Sequence, residues 1–251
     1  MRRSARLAEV GVAHGFGDRR DGVSAGVYAR ANAGFDGDDA AAVRENRRRF
    51  ARAVGADPAA LCTLRQVHGR TARVVAAPEC AARDGDALVS RTPGLLLAVT
   101  TADCVPVLMV DPAAGVAAAV HAGWRGAVAG VVTAAVETMS ALGAEPARLT
   151  AALGPCIRQQ SYEVDAPLRD AVVASLPRAA TLFAPGLRDD RWQFDLPGFV
   201  AALLRTAGAF RIDDLALDTL QNDTIYFSHR RSKQRNEVGY GVQLAGIRVP
   251  G

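Results

Sequence analysis

Residues 95–126, LLLAVTTADCVPVLMVDPAAGVAAAVHAGWRG, hold the pattern on which the fold depends. Three short apolar runs, Leu95–Thr100, Val105–Val110 and Val116–Val120, are separated only by TADC and DPAAG. Runs of this length bounded by Pro, Gly and Asp are read as strands of a substantial sheet. Immediately after HAGWRG the spacing changes. The segment AVAGVVTAAVETMSALG is apolar at helical intervals and stops at Gly143, so a helix is predicted just beyond His121.

Working outward, Thr71–Ala76 and Ala87–Ser90 are two further strand candidates. A helix is predicted over residues 38–55, with Asp38 or Asp39 as N-cap, Gly55 as terminator, and Ala42, Val43, Phe50 and Val54 as its inward stripe. Downstream, a strand near Leu149–Leu153 and a helix near Pro197–Ala207 precede strands near Asp214–Leu217, Thr224–Phe227 and Gly239–Ile247. Clustered strands between 71 and 120 argue against a simple doubly wound sheet and for an α+β, mixed α/β, architecture. No repeat, low-complexity tract or long linker interrupts the chain, so residues 1–251 are read as one domain.

Composition narrows the function. At 251 residues and 49% hydrophobic, the chain can bury a full core. Its formal charge of +4 comes from 30 basic against 26 acidic residues, and Lys233 is the only lysine. That Arg-rich, Ala-rich, Lys-poor bias is read as codon usage rather than as a nucleic-acid footprint, which would need basic residues clustered on one face. The start, MRRSARLAEVGVAHGF, has no continuous apolar core of a secretory signal. The stretch from Gly94 to Val110 is broken by Thr100, Thr101 and Asp103 and falls short of a membrane span. A soluble cytoplasmic protein is therefore expected, with no nucleic-acid or membrane partner. Its four cysteines, Cys62, Cys80, Cys104 and Cys156, are read as reduced thiols or ligands.

Chemistry concentrates at strand ends. Cys104 closes TTADC, and His121 opens HAGWRG where a strand gives way to a helix. With His68 in QVHG they form a His/Cys/His set that suits zinc with one coordination position open. The spacings of 36 and 17 residues match no short metal motif, so the set depends on the fold for its assembly. Taken alone, Cys104 serves equally as a small buried hydrophobe.

The motifs QVHG, DALVSRTPGLLLAVTTADCVPVLMVD, AAAVHAGWRGAVAGVV, LGPCI followed by SYEV, and FSHRR resemble, in order and over nearly the whole chain, the laccase-domain family, also called YfiH-like or polyphenol-oxidase-like. The resemblance implies a single laccase-type domain of mixed β-sheets flanked by helices. It also implies a purine nucleoside phosphorylase that cleaves adenosine, guanosine, inosine and methylthioadenosine with phosphate, together with zinc-dependent adenosine deamination. The family's metal-binding pattern falls on His68, Cys104 and His121, which would also be its catalytic residues. Copper is the less favoured metal: a multicopper cluster takes its ligands mainly from imidazoles, and this chain has four histidines in all, His14, His68, His121 and His229.

Phosphorolysis needs groups for a phosphate dianion and a nucleoside. Arginine is the expected phosphate partner, with Arg47, Arg65, Arg125 and Arg230 as candidates, of which Arg47 and Arg125 lie best within motifs resembling the family's. Asn32 and Gln66 are candidates for sugar hydroxyls or base nitrogens, or else satisfy turns. Asp103 could orient a histidine, accept a proton or cap a turn. Cys62 and Cys156 read as structural, and Asp218-Thr219 stands where relatives commonly carry Cys-Thr. The same residues support two other classes: a metal-free cysteine hydrolase with Cys104 as nucleophile and His121 or His68 as base, and an interaction module with a structural zinc. The second is disfavoured because no fourth ligand stands out. The partners expected are purine nucleosides and phosphate, and the assembly a monomer or small homo-oligomer.

Overall fold

The computed structural model describes residues 1–78 and 80–251, with the side chains of Cys80, Ala81 and Ala82 excepted, so the state of the Cys80 thiol lies outside the described residues. The chain begins with α1 (Ala5–Glu9), β1 (His14–Phe16) and α2 (Ala40–Val54). A run of strands follows: β2 (Leu61–Arg65), β3 (Ala72–Val74), β4 (Cys80–Asp84), β5 (Ala87–Ser90), β6 (Leu96–Thr101), β7 (Val105–Asp111) and β8 (Val116–Ala122). Helices α3 (Trp124–Ala129) and α4 (Val131–Ala141) lead to β9 (Thr150–Leu153) and β10 (Glu163–Val164). The remainder comprises α5 (Ala166–Ser175), β11 (Phe183–Pro185), β12 (Trp192–Phe194), α6 (Leu196–Thr206), β13 (Arg211–Asp214), α7 (His229–Gln234) and β14 (Gln243–Arg248). Among the described residues no helix is long and apolar enough to cross a membrane.

Two larger sheets, ordered β1-β14-β6-β2-β4 and β13-β9-β7-β8-β5-β3, mix parallel and antiparallel pairs. A small third sheet is ordered β10-β12-β11. Side chains alternate across a strand, and this sorts β7 and β8 into two cores. Val105, Val107, Met109, Val116, Ala118 and Val120 pack with Val132, Met139, Phe199 and Leu204 of α4 and α6. Leu108, Val110, Ala117 and Ala119 face Leu97, Val99, Ala245 and Ile247 of the other sheet. The outer face of that sheet, Leu96, Ala98 and Leu244, is closed by Ala51 and Val54 of α2. The layers run helix, sheet, sheet, helix. Both central sheets are covered on both faces, which explains why their strands read as unbroken apolar runs.

The predicted helix over 38–55 forms with Asp39 as N-cap, its carboxylate accepting from the Ala41 amide, and with Gly55 left-handed at its end. Its buried stripe is Val43, Asn46, Ala51 and Val54, so a polar residue replaces Phe50 at the centre. Asn46 bonds Ser24 Oγ and the carbonyls of Arg30 and Asn32, which offsets the cost of burying an amide. The single helix predicted after HAGWRG is two helices, because Gly130 at φ +97° ends α3. The strand near Asp214–Leu217 lies at Arg211–Asp214, and the one near Gly239–Ile247 starts only at Gln243. Thr224–Phe227 is no strand: the amides of Ile225 and Tyr226 bond the Asn222 carbonyl, and that of Phe227 bonds the Gln243 side chain, so Tyr226 and Phe227 are buried without a ladder.

Asp111, fully buried at the end of β7, ties the β7–β8 turn to the turn before β9. Its carboxylate accepts the amides of Ala113, Ala114 and Glu145 and pairs with Arg148 at 2.9 Å. Burial pushes its pKa up, but Arg148 and the amides outweigh burial and hold it below the ordinary range. The stabilisation is therefore complete above the unfolded pKa near ~3.9 and lost as pH falls through the depressed folded value. Asp111→Asn is expected to cost about 2 kcal/mol at pH 7 in urea unfolding, with the gap to wild type narrowing below pH 4. A gap of the same size at both pH values would refute this account.

Candidate metal and active site

The β7–β8 hairpin brings its two chemical residues together. Val105 lies opposite Ala122 and Pro106 opposite His121, so continuing that register sets Cys104 against Gly123. Cys104 sits where the chain crosses from β6 in one sheet to β7 in the other, and His68 sits in the equivalent crossing from β2 to β3. The ligating atoms of His68, Cys104 and His121 all lie within 4.8 Å of one another. Cys104 Sγ is 3.9 Å from His68 Nε2, and the imidazoles meet edge to face at 4.7 Å and 81°.

Tetrahedral zinc with Zn–S about 2.3 Å and Zn–N about 2.0 Å would set sulfur and nitrogen about 3.6 Å apart. The observed separation needs only a small closure, and one thiolate with two imidazoles is a borderline-soft donor set that zinc accepts. His68 is exposed and Cys104 half-buried, so the cluster is open on one side, and no further His, Cys, Asp or Glu joins it among the described residues. The residues fit a metal held by three protein ligands with one position free.

Asp86, wholly buried, holds this geometry. Its carboxylate accepts the amides of Val67, His68 and Gly69 at 3.3, 2.9 and 2.7 Å and bonds His121 Nδ1 at 2.9 Å. A carboxylate can only accept, so Nδ1 carries the proton and Nε2 is left as the ligating atom. His68 is left-handed at φ +57°, a conformation that costs about 1 kcal/mol or more for a residue with a Cβ. The three converging amides offset that cost. Burial raises the Asp86 pKa, but His121 and the amides lower it below the usual carboxylate range. Sequence reasoning gave Asp86 no role, although it opens the quoted DALVS stretch. An acidic residue heading a buried apolar strand was the available signal.

Gly123 is required by close approach: a Cβ there would lie 2.9 Å from both Cys104 Sγ and His68 Cδ2. Desolvation pushes the Cys104 thiol up, yet the charge and hydrogen bonds of His121 and His68 outweigh it, and the net shift is downward. Desolvation lowers His121, while Cys104 and Asp86 raise it further, and the net shift is upward. Without metal the two thus favour a thiolate–imidazolium pair.

The other expected residues divide. Arg125, exposed, lies over the Trp124 ring at 4.5 Å, and Arg230 over Tyr162 at 5.1 Å. Arg47 bonds the Ala33 carbonyl and Thr63 Oγ1 and covers the Phe35 ring. Asn32 is buried with its amide committed to Gly34, Asp38 and Val242, and Gln66 is tied to Thr100 through three bonds. Asn32 thus satisfies the turn at Gly34, and Gln66 links the end of β2 to β6. Arg65 is exposed and paired with Asp84. Asp103 accepts from Thr219 Oγ1 at 2.6 Å and from the Arg230 amide at 2.7 Å, which makes it a tether for the Cys104 turn. Cys62 and Cys156 are buried, and burial pushes the Cys156 thiol up. His14 bonds the Ser4 amide and the Val12 carbonyl, and His229 meets the Tyr240 ring, so only His68 and His121 join the cluster.

Fold and site together define a mixed α/β protein with a His–Cys–His candidate metal site, open on one side, at a sheet-to-sheet crossing. The family described as multi-copper polyphenol oxidoreductase laccase matches residues 13–249, and the chain belongs to it. It is 44% identical over 239 residues to a Streptomyces griseus protein named purine nucleoside phosphorylase ORF3, covering 93% of this chain and 95% of that one. It is 37% identical to the Shigella flexneri purine nucleoside phosphorylase YfiH, covering 93% and 94%. Among solved structures, YlmD from Geobacillus stearothermophilus superposes with a TM-score of 0.88 at 28% identity, covering 99% of this chain and 94% of that one. The Bacillus licheniformis hypothetical protein YfiH gives 0.86 at 27%, covering 95% and 93%.

Asp86→Asn is expected to weaken metal binding about 10–100-fold, read by zinc titration against a competing chelating dye. Gly123→Ala is expected to lower affinity too while leaving the circular dichroism spectrum unchanged. Wild-type affinity in both variants would show that neither residue shapes the site.

Proposed function

We propose that this chain is a zinc-dependent purine nucleoside phosphorylase, a single laccase-like domain over residues 1–251 acting in the cytoplasm as a monomer or small homo-oligomer. It would convert adenosine, guanosine, inosine and methylthioadenosine with phosphate to free base and sugar 1-phosphate, and deaminate adenosine as a second activity. The observation that carries this reading is the His68–Cys104–His121 cluster, open on one side in a chain whose relatives bear that enzyme's name.

When bound, zinc would supply a Lewis acid at the open position. The protein's own residues do the rest. Asp86 fixes the tautomer of His121 and the turn bearing His68, Cys104 serves as the anionic ligand, and Gly123 leaves the sulfur unobstructed. Burial, and to a lesser degree the Cys104 charge, push the Tyr162 hydroxyl up, which keeps it protonated.

One observation favours a second reading. Cys104, His121 and Asp86 stand in the order nucleophile, base and orienting carboxylate, the arrangement of a metal-free cysteine hydrolase.

Purified protein is expected to contain about one zinc per chain and to release hypoxanthine from inosine only when phosphate is present. Cys104→Ala and His121→Ala are each expected to lower that rate at least about 100-fold. Full phosphate-dependent activity in either variant would overturn the site assignment. Metal-free protein that forms a covalent acyl adduct at Cys104 would establish the hydrolase instead.

A further inference from the structure

Beside the cluster lies a cleft of about 500 Å³ whose lining includes Arg125, Arg188, Arg191 and Arg230. Two of these arginines are engaged: Arg188 pairs with Glu163 at 2.6 Å, and Arg191 approaches Asp165 and Asp190. Among the described residues no carboxylate pairs with Arg125 or Arg230. Each instead sets its guanidinium carbon over an aromatic ring, Arg125 at 4.5 Å from the Trp124 centroid and Arg230 at 5.1 Å from that of Tyr162. Guanidinium N–H groups point outward in the plane of the group, so stacking immobilises the cation and leaves its donor edge free. Arg230 spends one Nη1 bond on the Glu163 carbonyl and keeps the remainder.

Both arginines are anchored within a residue or two of the metal ligands. The Arg230 amide donates to Asp103, next to Cys104. Arg125 stands two residues after Gly123, where an added Cβ would meet Cys104 Sγ and the His68 ring. The cleft therefore lies near the Cys104 turn and presents two positive charges without carboxylate partners, matching in number the two negative charges of a phosphate dianion.

We propose that Arg125 and Arg230 form the subsite for the phosphate co-substrate, clamping a tetrahedral dianion between two ring-stacked guanidiniums beside the metal cluster; this rests on the phosphorolytic reading. In the reaction a phosphate oxygen forms the bond to sugar C1′ as the C1′–N9 bond breaks. The electron pair leaves with the purine, and the proton carried by HPO₄²⁻ ends on the purine nitrogen, so charge and atoms balance. The arginines hold the dianion's other oxygens and do not exchange protons. Arg47 and Arg65, the other sequence candidates, do not line this cleft: Arg47 bonds the Ala33 carbonyl and Thr63, and Arg65 pairs with Asp84.

Two measurements test the clamp: steady-state kinetics with inosine, and calorimetric titration of the protein with inorganic phosphate. Arg125→Gln and Arg230→Gln are each expected to raise the phosphate KM about tenfold or more while the inosine KM stays within about twofold. Calorimetric phosphate binding should disappear in the double variant, and Arg65→Gln should match wild type in both assays. A double variant with unchanged phosphate KM and unchanged phosphate binding would overturn the clamp while leaving phosphorolysis intact. If wild type released hypoxanthine without phosphate, the phosphorolytic reading would fall. The calorimetry would still decide the clamp, since phosphate that binds wild type but not the double variant supports an anion site, and phosphate that fails to bind wild type removes it.

Discussion

The Asp86 carboxylate is the interaction on which the site depends. It is buried, it cannot donate, and it collects four N–H groups: three backbone amides of the 67–69 turn and the His121 ring. A carboxylate out of water is costly unless paired or well hydrogen-bonded. Here its partners are the two segments that carry the histidine ligands. The same four bonds that satisfy Asp86 bring His68 and His121 within reach of Cys104, so structural and chemical requirements coincide in one residue.

The layered architecture supplies the rest. Cys104 and His68 occupy crossings between two sheets that pack face to face, and His121 ends a central strand. Crossings of this kind leave the regular ladder and place side chains at the sheet ends, where rigid strands hold them on both sides. Left-handed backbone at His68 and Asp103 marks the two tightest points. Asp86 braces the first, and Thr219 with the Arg230 amide braces the second. Thr219 thus bonds directly to the turn bearing Cys104.

Much of this was legible in the residues. The apolar runs between 95 and 120, the helix over 38–55 and the strand-end placement of Cys104 and His121 all follow from period and turn chemistry. What escaped was whatever depends on long-range contact. β2 and the short strands β10, β11 and β12 carry no strong alternation of their own, and the stretch at Thr224–Phe227 imitates a strand while bonding to Asn222 and Gln243. Asn32 and Gln66 looked like ligand-binding amides. Their partners, Val242 and Thr100, are remote in sequence, and no local pattern reveals such pairs.

The sequence by itself determined the apolar runs that become β6, β7 and β8, the strand-end placement of Cys104 and His121 and the mixed α/β class, because residue chemistry and periodicity are local properties. Only the tertiary structure decided that His68 completes the cluster, that Asp86 holds it, and that Arg125 and Arg230, far apart in the chain, lie in one cleft with their charges unmatched. The physical reason is that distance and desolvation arise when remote segments pack. A carboxylate becomes an organising group, and an arginine becomes a binding group, according to which partners packing brings to them.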